Sequence, residues 1–134
     1  MVNTLSYDFR DVHRGDVVVF RTPPSENCAG LPTHYLVKRV IGLPGDTISL
    51  TGGSRGFVLI DHKRLAEPWL GSSEQGATFP GPSRTAYSLS GPYLVPAHDY
   101  FLLGDNRTES CDSRFWGPVP KSSLLGSVEF KFHL

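Results

Sequence analysis

The 134-residue sequence has no excess of charge of either sign: thirteen Lys and Arg face thirteen Asp and Glu, and the formal net charge is zero. With its basic residues scattered rather than striped, such a chain offers no electrostatic footprint for nucleic acid. It also lacks an apolar run near the roughly 20 residues that span a bilayer. Met1 is not followed by a charged-then-apolar leader. Neither a membrane span nor a signal peptide is therefore expected within these residues. Cysteine is scarce. Cys28 and Cys111 stand far apart and share no metal-ligand spacing with the five histidines, which argues against a zinc site. The two form one disulfide in an oxidising compartment or are unrelated small residues, and spacing does not decide between these. A sustained helical period, a heptad pattern, an internal repeat and a phosphate-binding Gly-rich motif are missing as well. His13, His34, His62, His98 and His133 are dispersed, and none is paired with a serine and an acid in a recognisable motif.

What is present is turn chemistry and short apolar runs. Eleven prolines and fourteen glycines punctuate the chain, which favours many short strands over long helices. Val17-Val18-Val19-Phe20 is β-branched and aromatic and is followed by Pro23-Pro24, so it reads as a strand. Tyr35 to Ile41 reads as another, left through the turn Gly42-Leu43-Pro44-Gly45-Asp46. Thr47 to Leu50 alternates polar with apolar, and a turn at Gly52-Gly53 leads to Phe57 to Ile60, which predicts a hairpin. From about Leu70 to Pro92 Gly, Ser, Pro and Thr dominate, as in a long irregular segment. Strands are expected again at Tyr100 to Leu103 and Ser127 to Phe132, with Pro120 to Ser123 a turn into a short helical or irregular connection.

Two stretches carry candidate chemistry. In YLVKRVIGLPGD, Lys38 lies within a strand of Leu, Val and Ile. Drawn into that apolar setting, its ammonium would be disfavoured and its amine would become a usable base for a serine hydroxyl, as in Ser-Lys catalysis. On the plainer reading Lys38 and Arg39 lie on alternate faces of a strand and one of them is solvated. In GDNRTESCDSRFWGPVP, Asp105, Arg107, Asp112 and Arg114 interleave directly after an apolar strand. They suit either an ion-pair network that tightens a loop, where exposed pairs contribute under about 1 kcal/mol, or the shell of a site at a strand end. On a strand Asp112 and Arg114 would share a face. Ser110 and Ser113 could hydrogen-bond a neighbouring amine. Asn106-Arg107-Thr108 also fits the glycosylation acceptor pattern, which arises often by chance.

Taken in order, Arg14 to Phe20, Tyr35 to Ile48 and Gly104 to Pro120 resemble three successive boxes of the bacterial type I signal peptidases. The family's last box is typically GDNRDNSxDSR followed by WGxVP, and this chain departs from it at Thr108 and Glu109. The resemblance implies a mainly β fold of antiparallel sheets in a coiled barrel. Residues 1–50 and 100–134 would form the catalytic core, and residues 51–99 a small inserted β or irregular lobe. It implies a serine endopeptidase, tethered to the cell membrane with its catalytic domain on the extracytoplasmic face. Such an enzyme removes signal peptides from exported preproteins with a Ser-Lys dyad, using no metal or cofactor. By position, Lys38 matches the general base and Ser110 the serine that orients it. Asp105, Asn106, Arg107, Asp112, Ser113 and Arg114 match residues that shape the site.

The resemblance also has a gap. The family's nucleophile lies in an upstream box, SMxPTL, which does not occur here, and Ser6 lacks its Met and Pro-Thr context. The family's membrane anchor lies upstream too. The chain is therefore expected to be a catalytic domain without its first segment, and silent as a catalyst in this form. Its substrate would be an extended peptide added along a strand edge, with small side chains filling shallow pockets. The alternative is a non-catalytic peptide-binding or scaffold module that keeps the fold. Another Ser-Lys β protease, of the self-cleaving repressor type, fits the GDNR and DSR boxes poorly.

Overall fold

The computed structural model describes residues 2–6, 12–26, 28 and 34–131, with only the backbone described at 2–6 and 129–131. Two antiparallel sheets carry the fold. The larger contains β1 (Val2–Ser6), β2 (Val17–Arg21), β3 (Tyr35–Gly42), β8 (Asp99–Leu103), β9 (Val119–Pro120) and β10 (Leu124–Lys131), in the order β1-β10-β2-β3-β8-β9. The smaller contains β4 (Thr47–Leu50), β5 (Val58–Ile60), β6 (Lys63–Arg64) and β7 (Tyr93–Leu94), in the order β6-β5-β4-β7. The crossing from one sheet to the other is the turn Leu43 to Asp46, where Gly45 takes φ +84°. There the Asp46 carboxylate accepts from the Leu43 amide at 2.8 Å. The mainly β, antiparallel architecture is the expected one. The smaller sheet starts at Thr47, ahead of the expected lobe boundary at residue 51.

Two apolar clusters share one wall between them. Val18, Phe20, Leu36, Val40, Tyr100, Leu102, Trp116 and Leu124 form the first, and Ile41, Ile48, Val58, Leu89, Val95, Phe101 and Leu103 the second. Because side chains alternate across a strand, β8 sends Tyr100 and Leu102 to one cluster and Phe101 and Leu103 to the other. It has no solvent face, and so it reads as an unbroken apolar run. In β3 the pairing with β8 passes from Val40↔Leu102 to Gly42↔Phe101, so Ile41 is the extra residue of a β-bulge. The bulge lets consecutive Val40 and Ile41 enter different clusters.

The expected hairpin is present, with Ile48↔Ile60 and Leu50↔Val58 in register. Residues 70–92 hold no strand or helix beyond a single bridge between Gly56 and Thr78. The turn after Pro120 is a 3-10 helix, Lys121–Ser123. The last strand begins earlier than expected, at Leu124, with a register irregularity between Leu124 and Gly126; Phe132 lies outside the described residues. Cys28 and Cys111 are joined as a disulfide across 83 positions, with Cα atoms 6.4 Å apart, and both pack against the first cluster.

A bond closing so long a loop restricts the unfolded chain strongly, and removing a native one typically costs about 2–5 kcal/mol. Reduction, or the double substitution C28S/C111S, is expected to lower the unfolding free energy measured in urea by that amount, and the midpoint with it, without abolishing the β spectrum. An unchanged midpoint would show that the cross-link contributes nothing.

Candidate active site

The lysine comes from the middle of β3, where Lys38 pairs with Val18 of β2. Leu36 and Val40 on the same face are buried in the first cluster, so the Lys38 stem follows them inward and its amine is half-buried. There Nζ lies 3.0 Å from Ser110 Oγ, to which it donates. Its pKa is lowered from the usual lysine value. Burial is the main cause; the Arg114 guanidinium adds to it, while the Asp112 and Asp105 carboxylates oppose it. Gly104 makes the meeting possible. A Cβ there would overlap Ser110 Oγ and stand 3.4 Å from Lys38 Nζ.

The loop that delivers Ser110 is held by buried charge. Asp112, Arg114 and Arg107 are 0%, 1% and 1% exposed. Arg114 grips Asp112 with two parallel bonds, at 2.8 and 2.7 Å. Its other N–H groups donate to the carbonyls of Phe79, Arg107 and Ser110. The Asp112 carboxylate also accepts from the Gly104 amide at 3.0 Å. Arg107 Nε donates to the Gly104 carbonyl at 2.9 Å, and the guanidinium reaches Thr78 Oγ1 and forms a buried ion pair with Glu67. Gly104 is thus fixed at both its amide and its carbonyl. Ser113 Oγ accepts from the Leu102 amide at 2.9 Å and ties the loop to β8.

Asp112 and Arg114 do not share a strand face. They lie at the start of a one-turn helix, α1 (Ser113–Trp116), where Asp112 is the N-cap and accepts from the Arg114 amide. An aspartate before a short helix satisfies free backbone donors in this way. Nor is Arg39 solvated: its guanidinium binds Asp105 at 2.9 and 2.8 Å, donates to the Gly15 carbonyl and stacks 5.0 Å over the Trp69 ring. Asp105 is therefore anchored to β3, whereas Asn106 is exposed at the rim.

Sequence reading passed over Glu67, Thr78 and the partnership of Arg39, and marked Glu109 only as a departure from the family's last box. Only Glu67 carried a local signal, as a lone acid within Ala66-Glu67-Pro68-Trp69-Leu70. Around Lys38 and Ser110 opens a cleft of about 490 Å³, whose walls include Val17, Val37, Gly104 and Glu109. Among the described residues, the one group close enough to share a metal ion is Glu26, Cys28 and Cys111. Its two sulfurs are bonded to each other and offer no thiolate.

Residues 1–133 match the family model described as signal peptidase, peptidase S26. The chain is 37% identical over 133 residues to a signal peptidase I of Leptolyngbya laminosa, covering 98% of this chain and 58% of the relative. It is 36% identical to a probable signal peptidase I-2 of a Synechocystis species, covering 98% of this chain and 53% of the relative. To signal peptidase I V of Bacillus subtilis it is 34% identical, over 96% of this chain and 71% of that protein. The chain thus spans little more than half the length of the first two of these curated relatives. The crystal structure of a signal peptidase I from Enterococcus faecalis superposes with a TM-score of 0.63 at 28% identity, over 87% of this chain and 96% of that one.

Breaking the Glu67–Arg107 pair from the acid side leaves a buried cation without a partner. Glu67→Ala is expected to cost about 3–5 kcal/mol in urea unfolding, against under about 0.5 for the exposed Asn106→Ala. Equal effects would contradict the burial of the pair. Lys38 makes a second prediction. With its folded pKa depressed, the unfolded chain binds more protons between that value and the unfolded pKa of about 10.4. Lys38 therefore adds stability as pH rises through that window. Lys38→Met is expected to remove this part of the slope; a slope identical in both proteins would contradict the burial of the amine.

Proposed function

Because the chain belongs to the signal peptidase family, peptidase S26, we propose that it is the catalytic domain of a signal peptidase I, in which Lys38 is the general base and Ser110 its positioning partner. The observation that carries this reading is the 3.0 Å bond between Lys38 Nζ and Ser110 Oγ at the floor of an open cleft. A lysine whose ammonium is disfavoured by burial holds a lone pair at neutral pH more often than a free one. It can take the proton of a serine hydroxyl as that oxygen attacks the scissile carbonyl. It then returns the proton to the leaving amine, and water releases the acyl group in the reverse sense. Ser110 accepts one of the lysine N–H bonds and so fixes where the lone pair points. Asp105, Arg107, Asp112, Ser113 and Arg114 act through the loop that carries Ser110, while Asn106 shapes the rim. The attacking hydroxyl is assigned to the upstream SMxPTL segment, outside these 134 residues.

The substrate reading rests on the strand edge. Pairing between β3 and β8 begins only at Arg39↔Leu103, so Tyr35 to Lys38 have no partner in β8. Beside this edge Tyr35 and Val37 are 55% and 53% exposed. An extended peptide, here the end of a preprotein's signal peptide, can add a strand at such an edge and place its small side chains in the cleft. No helix of the described residues is long and apolar enough to cross a membrane, and the proposed anchor is an upstream segment. The Cys28–Cys111 disulfide supports an oxidising, extracytoplasmic compartment. A pure binding module would use the same edge but would need neither the Ser110 bond nor the lowered lysine pKa, so the geometry favours the base.

Joined behind the SMxPTL-bearing segment of a relative, the chain is expected to cleave a leader peptide. Lys38→Ala in that protein is expected to reduce the rate about a hundredfold or more. Undiminished cleavage by the Lys38→Ala form would remove the base assignment.

A further inference from the structure

The two positions at which the last box departs from the family pattern, Thr108 and Glu109, both act on the rim of the Lys38 cleft. Thr108 Oγ1 donates to Asn106 Oδ1 at 3.2 Å, and Asn106 Nδ2 donates to Glu109 Oε2 at 3.3 Å. The amide is held at both ends, and through it the Glu109 carboxylate is steadied against the wall that it lines. Of the other ionisable groups on the cleft, Arg39 and Asp105 are bound to each other by two bonds, and the Lys38 ammonium is disfavoured by burial. Glu109 makes no ion pair among the described residues and is exposed. A second carboxylate, that of Glu74, accepts from the Thr108 amide at 3.3 Å and adds to the negative charge on that side.

We propose that Glu109 is a specificity-determining residue, which selects extended peptides carrying a lysine or arginine beside the small residues that enter the cleft. This rests on the cleft being a peptide site, as proposed above, and adds the charge of the preferred substrate. An arriving cation meets a carboxylate already held in place, so little side-chain freedom is lost on pairing. At an exposed rim the gain is small, on the order of two- to fivefold in affinity. It declines with salt over a screening length of about 8–10 Å.

The test is fluorescence anisotropy on the full chain with labelled leader-like peptides, in which one position at a time, through three on either side of the small residues, is Lys, Gln or Glu. At one or more positions the Lys peptide is expected to bind about two- to fivefold tighter than the Gln peptide, with the difference shrinking as salt is added. Glu109→Gln is expected to erase the preference and Glu109→Lys to turn it toward the Glu peptide, while the urea midpoints of both variants stay at that of the parent. Equal binding of Lys and Gln peptides at every position overturns the inference and leaves the peptide site standing. So does a preference that persists in Glu109→Gln. No binding by any peptide overturns both.

Discussion

The arrangement around Ser110 depends on two charges that water does not reach. Bringing Asp112 and Arg114 out of solvent costs several kcal/mol for each ion, and their attraction offsets this only if the remaining donors and acceptors are matched. They are matched here. The guanidinium binds one carboxylate and three backbone carbonyls, and the carboxylate takes two backbone amides besides. Those backbone partners are spread over Phe79, Gly104, Arg107, Ser110 and Arg114. Satisfying one ion pair therefore specifies the path of residues 104–116, and with it the position of a hydroxyl that has no comparable anchor of its own.

The same logic links the two sheets. Glu67 and Thr78 belong to the long connections around the smaller sheet, yet they complete the hydrogen bonding of Arg107. Arg107 in turn holds the carbonyl of the glycine beneath Lys38 and Ser110. Below them β8 divides its side chains between two cores. The connections around the smaller sheet thus brace the loop that carries Ser110 without lining the cleft around Lys38 and Ser110.

How far the sequence revealed this follows from the range of each interaction. The apolar run Tyr100 to Leu103 and the alternation of Thr47 to Leu50 are local signals of burial, so those strands were legible. The two-residue strands β6, β7 and β9 and the single turn α1 hold only about one period of their patterns and left no repeat to read. Resemblance to a family placed Lys38 and Ser110 in one site. Physics applied to the residues alone could not, because 72 positions separate them. Glu67 meets Arg107 across 40 positions, with no motif to connect them. The family likeness did point to Glu109, but as a mismatch, and its place on the cleft rim is visible only in three dimensions.

Gly104 gives this arrangement an unusual mutational profile. It bears no functional group, touches no proton and would not figure in any list of reactive residues. Yet every single-base change of its codon that alters the amino acid adds a carbon where Ser110 Oγ already sits. Drift at this position has no graded intermediates. For a lineage that retains the lysine–serine bond, the genetic code leaves only synonymous change open at residue 104.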